Sequence, residues 1–493
     1  MENTLPTTQK FIVKFFPEIM IKGASAKRQM IDQLHGNLKK LLTRISAEIT
    51  TKKFFDKIDV VCPIDVITEV RLRLLDTPGV ELVLEALQFD EVKTIDQIKV
   101  IVNDVMANTI QNKRFVIRAK RSGTHSFKSP QIEQTVGGYM LSQNSTSTVD
   151  LHNPEVTINI ELNDKQLNII FHKYRGLGGF PLGSQGDILS LMSGGFDSTV
   201  ASYMTMKRGI KTHFIFFNLG GVAHEIGVKQ VAYYLWNKFG SSHKVSFISV
   251  PFDDVVTEIF NSNSESYMGV MLKRLMLQAA EKIANDMKID ALLTGESVAQ
   301  VSSQTLRNLA LIDQVTKKLV LRPLCTMNKP EIMNIANEIG TKRFAETMPE
   351  YCGVISKNPV IHGSYDRMEK EAARYNYEIL DKAVENAITI NVADIINDIN
   401  ENIGQIETIS DVSNGKYTIV DIRQNNECIE ASCETIKIPF HQLKSQFVKL
   451  PQDKEYLFYC DKGILSQLHA QYLRDELNCE NIKVYRPKTK CTI

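Results

Sequence analysis

The 493-residue chain has no uninterrupted apolar run near the ~20 residues a bilayer crossing needs, so a spanning helix is not expected. Its start, MENTLPTTQK, lacks the apolar core of a secretory leader, and the expected compartment is the cytoplasm. Cysteine is scarce: residues 62, 325, 352, 428, 433, 460, 479 and 491 are too few and too scattered for a secreted disulfide scaffold. Any disulfide is therefore expected to be catalytic. Net charge is nearly absent too, with 58 Lys and Arg against 57 Asp and Glu. That excludes a protein that coats nucleic acid indiscriminately and leaves a basic surface to be sought locally. No Gly-x-x-x-x-Gly-Lys occurs, which removes the Walker A loop, and no Cys-x-x-Cys pair, internal repeat or low-complexity tract is present.

What remains is ordinary globular composition, 43% hydrophobic and 23% charged, in a chain long enough for roughly three domains at about 150 residues each. FIVKFF (11–16) reads as a strand and residues 27–45 as an amphipathic helix. EVRLRLL (69–75), residues 94–110 and RFVIRAK (114–120) are further strand or helix candidates, and residues 157–174 form a hairpin pattern turning at Asn163-Asp164. The first 175 residues thus look α+β. From Ile188 onward, strand, loop and helix patterns repeat, predicting a parallel, helix-covered sheet. A helical tract follows at 365–387, and a last short βα set holds YTIVDIR, YLFYC and IKVYRP.

LSLMSGGFDSTVASYM places Ser193, Gly194, Gly195, Asp197 and Ser198 between an apolar strand and a helix. Adjacent glycines let backbone fold around an anion, and a helix N-terminus offers it unpaired N–H groups. A capped helix after a glycine turn would look similar. The full string Ser-Gly-Gly-Phe-Asp-Ser resembles the pyrophosphate loop of the N-type ATP pyrophosphatases, which split ATP to AMP and pyrophosphate and activate a carbonyl oxygen by adenylation.

In YLFYCDKGILSQLHAQYL, Cys460 ends an apolar strand, with Gly463 and Ser466 leading into a helix. Backbone N–H groups and a helix N-terminus around a thiol favour the thiolate, the form that attacks or carries sulfur. A buried structural cysteine is the plainer alternative. Asp421 and Arg423 in IVDIR, with the Cys-x-x-Gly-x-x-Ser spacing, resemble the rhodanese active loop. A phosphatase would need arginine at the sixth position after the cysteine, where Ser466 stands.

RFVIRAKRSGTHSFKS resembles the basic strand and turn of THUMP RNA-binding modules, with Lys113, Arg114, Arg118, Lys120, Arg121 and Lys128 available to phosphates. In order, a ferredoxin-like segment, this module, the pyrophosphate loop, MPEYCGVISKNP and the rhodanese-like loop together resemble the bacterial tRNA 4-thiouridine synthase family. The resemblance implies an α/β multidomain fold: ferredoxin-like residues 1–68, THUMP residues 69–175, a doubly wound ATP pyrophosphatase unit at 176–400 and a rhodanese-like unit at 408–493. It implies nucleotide contacts at Leu191, Met192, Lys273, Gly295 and Gln304, and a need for Asp197 and Lys329 in adenylation. Cys460 would carry persulfide and Cys352 would pair with it as a disulfide.

The resemblance further implies ATP with Mg²⁺ and no tightly bound metal. Its partners would be tRNA, a cysteine desulfurase as sulfur donor, a thioredoxin-type reductant, a sulfur-carrier protein of thiamine thiazole synthesis and a second copy of the chain, with no membrane. Three rivals stand beside it: an amide-forming synthetase, which leaves the basic segment and Cys460 without a role; an RNA-binding adaptor that consumes no ATP; and a thiolase of another nucleotide, which would be expected to carry a Cys-x-x-Cys pair.

Overall fold

The computed structural model describes residues 8–219, 221–346, 358–402, 406–412, 416–423, 433–438, 443–460, 466–467, 469–470, 473–474 and 480–487. The chain divides into two compact units, the first running to Gly186 with Met206–Ile210 and Lys238–His243, the second holding the remainder.

In the first unit, eight strands share one sheet: β1 (Thr8–Phe15), β2 (Thr50–Lys53), β3 (Lys57–Pro63), β4 (Val80–Phe89), β5 (Arg114–Ser122), β6 (Thr148–Val149), β7 (Val156–Asn163) and β8 (Gln166–Arg175). Their order is β2-β3-β1-β4-β8-β7-β5-β6, antiparallel except where β5 runs parallel to β7 and β6. The β7–β8 hairpin turns at Asn163-Asp164 as its pattern predicts, with Asp164 at φ 52°, a left-handed position that a short polar side chain tolerates. EVRLRLL lies in a helix, Ile67–Leu75. Val70 and Leu74, four apart, are buried while Leu72 is exposed, so helical rather than alternating spacing decides that element. Helices Ala24–Thr43 and Ile67–Leu75 pack one core with β1, β3 and β4; helices Ile95–Ile110 and Ser129–Gln143 pack a second with β5, β7 and β8.

The second unit contains two sheets. One joins β9 (Asp187–Leu191), β10 (Lys211–Asn218), β11 (Ser246–Pro251), β12 (Ala291–Leu293), β13 (Leu319–Leu321) and β14 (Ile388–Asn391) in the order β13-β12-β9-β10-β11-β14. The first five are parallel, as expected; β14 returns antiparallel at the edge, a departure from the all-parallel reading. Strand order reverses between β9 and β12, and ligands of open α/β sheets bind beyond the carboxyl ends of strands at such a point. The 365–387 tract is two helices, Tyr365–Ala372 and Tyr377–Glu385. Asn376 breaks it by accepting the Glu378 N–H at 3.1 Å, a local cap that competes with continuing the helix.

The other sheet joins β15 (Thr408–Ile409), β16 (Tyr417–Asp421), β17 (Thr435–Lys437), β18 (Glu455–Tyr459) and β19 (Ile482–Tyr485), all parallel, in the order β15-β19-β18-β16-β17. Among the described residues, no helix is long and apolar enough to cross a membrane.

Candidate functional site

The loop after β9 occupies the switch point. Leu191 ends the strand, and Met192 is buried with its N–H donating to Ile215 O at 2.8 Å. Gly194 adopts φ 81°, which a residue with a Cβ resists, so the turn itself requires glycine there. At Gly195 an added Cβ would meet only Ser193 Oγ, at 3.7 Å; folding alone makes no such demand. Ser193 N–H donates to Ser198 Oγ at 3.2 Å, and Thr199 Oγ1 donates to Gly195 O at 2.7 Å, closing the loop onto helix Phe196–Lys207. His224 Nε2 lies 3.3 Å from Ser193 O; a carbonyl only accepts, so this nitrogen carries the proton. Burial lowers the His224 pKa, which keeps the ring neutral.

Asp197, in the first turn of that helix, meets a cation from 132 residues away. Lys329 Nζ donates to both carboxylate oxygens, at 2.9 and 3.1 Å, and Gln300 Nε2 donates to Oδ2 at 2.9 Å. Lys329 is placed by the start of helix Lys329–Glu338, where Asn328 and Glu331 form a reciprocal capping box and Pro330 takes an early position without needing a donor. Gly295 follows β12, and a Cβ there would lie 2.5 Å from Asp197 C and Ser198 N, so close backbone approach makes glycine obligatory.

Behind Gly295, Glu296 accepts from Lys273 Nζ at 2.7 Å, Arg322 Nε at 2.7 Å and Thr294 Oγ1 at 3.0 Å. Arg322 also donates to Asp313 at 2.9 and 2.5 Å. Burial alone would raise the Glu296 pKa; Lys273 and Arg322 overcome it and hold the carboxyl down to about 2. Lys273 is thus fixed by a buried anion. Gln304 accepts the Ala299 N–H through its backbone at 3.0 Å and the Ser297 N–H through Oε1 at 3.4 Å. Among the described residues, no group of three or more His, Cys, Asp and Glu could hold a metal ion.

Cys460 directly follows β18 and is buried in a core with Val420, Ile422 and Phe458. The Ser466 N–H donates to its Sγ at 3.3 Å, and the Ser466 hydroxyl lies 3.4 Å away. On the neighbouring strand, Asp421 accepts from Arg423 Nε at 3.0 Å and Nη2 at 3.1 Å, and the guanidinium stacks on Tyr459, 4.9 Å from the ring centre. Cys352 and Gly463 lie outside the described residues.

The loop, its helix N-terminus and the Asp197–Lys329 pair can bind a polyphosphate and manage charge at its reacting end. A family model described as thiamine biosynthesis protein (ThiI) matches residues 183–377, and a THUMP domain model matches residues 92–171. The tRNA sulfurtransferase of Colwellia psychrerythraea is 45% identical over 487 residues, covering 97% of this chain and 100% of the relative. That of Shewanella piezotolerans is 43% identical over 489 residues, with the same coverages. The chain belongs to the tRNA sulfurtransferase family. Its fold resembles a solved 4-thiouridine synthetase in an RNA complex with bound ATP, with TM-score 0.69 and 24% identity, covering 78% of this chain and 99% of that one.

In this member of the family, the basic residues expected to meet RNA lie just before β5, on β5, and at the cap of helix Ser129–Gln143. Lys113, Arg114, Arg118, Lys120 and Lys128 are exposed, and Arg121 is half-buried. Arg114 already pairs with Glu155 at 3.3 Å and Asp150 at 3.4 Å, and Arg118 donates to Leu151 O at 3.1 Å. Gln300, His224, Glu296 and Arg322 are additions that sequence reasoning missed. Glu296 carried a signal, since it follows Gly295 shortly after a buried strand; Gln300 and Arg322 carried none, because a lone polar residue reads the same whether it faces water or reaches Asp197 or Glu296.

Proposed function

We propose that this family member transfers persulfide sulfur to the uridine at tRNA position eight, giving 4-thiouridine through an adenylated uridine. The observation that carries this reading is the Asp197–Lys329–Gln300 cluster at the mouth of a glycine loop on the switch point. ATP binds through backbone of Leu191–Gly195, the Ser198 turn, Lys273, Gly295 and Gln304. The one carboxylate at the loop, Asp197, suits a magnesium ion arriving with the nucleotide, where it would neutralise phosphate charge. Arg114, Arg118, Lys120 and Arg121 of β5, with Lys113 before it and Lys128 after it, grip tRNA.

Uridine O4 is a poor leaving group. Exchanging a hydroxide-like departure, from water of pKa about 15.7, for a phosphate of second pKa about 6 lowers the cost by at most roughly 13 kcal/mol. A cysteine desulfurase loads Cys460 as Cys460–S–SH. Its terminal sulfur attacks C4 and AMP leaves with the C–O bonding pair. Cys352 thiolate then attacks the Cys460 sulfur, the S–S pair stays with the base as thiouridine, and a Cys352–Cys460 disulfide remains. A thioredoxin-type reductant restores both thiols. A second copy of the chain completes the tRNA grip. The cytoplasm, where reductant and tRNA coexist, is the proposed compartment.

The description of the matching family model supports a second reading: persulfide on Cys460 also supplies a sulfur-carrier protein for the thiazole of thiamine. That transfer needs no adenylated uridine, so Asp197→Ala should retain it. The principal test is mass spectrometry of nucleosides from tRNA incubated with the protein, ATP and a persulfide source. 4-Thiouridine at position eight is expected; its absence with every co-substrate present overturns the reading. Pyrophosphate release without any thiolated base would indicate another adenylating enzyme.

A further inference from the structure

Between β12 and Lys329, the turn Ser297–Gln304 is held more firmly than its exposure requires. Ser297 Oγ donates to Met327 O at 2.7 Å, Val298 N–H to Cys325 O at 3.0 Å, and Gln304 N–H to Val301 O at 2.9 Å. Inside it Ala299 sits at φ 66°, a left-handed conformation that a Cβ makes costly and that persists where surroundings over-determine it. The following residue is Gln300, whose amide reaches Asp197. The strained turn is therefore bonded to the reacting end of the nucleotide loop.

Around it stand exposed aliphatic side chains: Val298 (36%), Val301 (50%), Leu306 (72%) and Ile361 (56%). Thr305 Oγ1 donates to Ile361 O at 2.7 Å and Asn308 Nδ2 to both Ser302 O and Val360 O at 2.8 Å, which ties the two segments into one surface. At its border, exposed Arg307 stacks 3.9 Å from the Tyr365 ring centre and donates Nε to Gly363 O at 3.0 Å, so the cation is pre-positioned.

We propose that this surface receives the extruded pyrimidine nucleotide of the RNA substrate, with Val301 and Leu306 under the base and Arg307 at the adjoining phosphate. The inference rests on the adenylation reading above. A base whose O4 must reach a phosphorus held beside Asp197 has to lie on a surface that borders Asp197, and this turn borders it through Gln300. A nucleotide combines an apolar face with an anion; aliphatic side chains beside an arginine complement both.

The test uses full-length protein carrying Val301→Ser and Leu306→Ser, both exposed positions, at saturating tRNA and ATP. Sulfur is supplied either through Cys460 persulfide or as free sulfide, which bypasses it. 4-Thiouridine formation should fall about tenfold with both donors, from the loss of one base-stacking contact, while thermal unfolding, ATP affinity and overall tRNA affinity stay within twofold. An unchanged rate overturns the proposal. So does a defect confined to the persulfide route, which would make the surface a dock for the Cys460-bearing segment. Independently, tRNA with 5-iodouridine at the target position should photocross-link to the tryptic peptide 289–307, and cross-linking exclusively elsewhere overturns it. If the wild-type protein thiolates tRNA with neither donor, the adenylation reading has failed instead.

Discussion

The nucleotide loop and the Cys460 turn occupy equivalent places on their sheets, each beyond the carboxyl end of a central parallel strand, β9 in one and β18 in the other. Their described surroundings differ. Charged groups crowd the first, with Asp197 against Lys329 and Glu296 between Lys273 and Arg322. The second is lined by Val420, Ile422 and Phe458, with the Ser466 N–H and hydroxyl beside the sulfur. Backbone donors are present in both, at the start of helix Phe196–Lys207 in one and as the Ser466 N–H in the other. The loop after β9 combines glycine with balancing side chains; at Cys460 the described surroundings are a backbone N–H, a hydroxyl and an apolar core. Cys62, the penultimate residue of β3, is also buried, and burial pushes its thiol up to about 11.

Splitting the two sites is the severest test of that contrast. Cys460→Ser should abolish persulfide loading while leaving tRNA-dependent pyrophosphate release within about threefold. Asp197→Ala should lose roughly 10²–10³ in adenylation, the scale seen when one group aligned with developing charge is removed, and should load persulfide normally. Radiolabelled sulfur and pyrophosphate assays on the same preparations read both, and a variant that damages both activities equally would dissolve the division.

Next in size is the buried pair. Glu296→Gln leaves Lys273 and Arg322 facing each other without their anion and should cost about 3 kcal/mol of stability. The sign with pH is fixed by the lowered carboxyl pKa: the stabilisation is complete above the ordinary value of 4.5 and fades as pH falls toward about 2. Denaturant unfolding of wild type and variant should therefore converge in acid, and a gap that persists at low pH would mean that packing, not charge, made the difference. Gly295→Ala should cost about 1–3 kcal/mol and raise the KM for ATP, since the methyl meets backbone atoms that only a shift of the loop can relieve. Persulfide loading should not notice.

Legibility followed how locally each feature is encoded. The Ser-Gly-Gly-Phe-Asp-Ser and Cys460 motifs are contiguous strings, so the strands they follow, β9 and β18, are legible in the sequence. Asp197 and Lys329 came through resemblance, because nothing local says that residues so far apart will touch. Gln300 reaches Asp197 only when β12 pairs with β9, and Arg322 reaches Glu296 only when β13 pairs with β12, long-range events with no periodic signature. The same limit applies to the fold. EVRLRLL fits alternation and helix spacing equally until Val70 and Leu74 find a core. The 365–387 tract reads as continuous because Asn376 acts through one backbone hydrogen bond that a hydrophobic pattern does not register.

The proposed RNA contacts on and around β5 extend the comparison to a third kind of anion site and give the smallest expected effect. Each phosphate contact released should lower the slope of log affinity against log salt by about 0.7 to 0.9. Lys120 is exposed and has no ion-pair partner among the described residues, whereas Arg114 is already engaged by Asp150 and Glu155. Lys120→Ala should therefore take close to a full contact from the slope. Arg114→Ala should take less, because binding RNA through Arg114 means giving up two carboxylates in exchange and the net counterion release is smaller. Equal slopes for the two variants in a salt titration of tRNA binding would show that Arg114 abandons its partners on contact, and the strand would then act as a switchable surface rather than a fixed one.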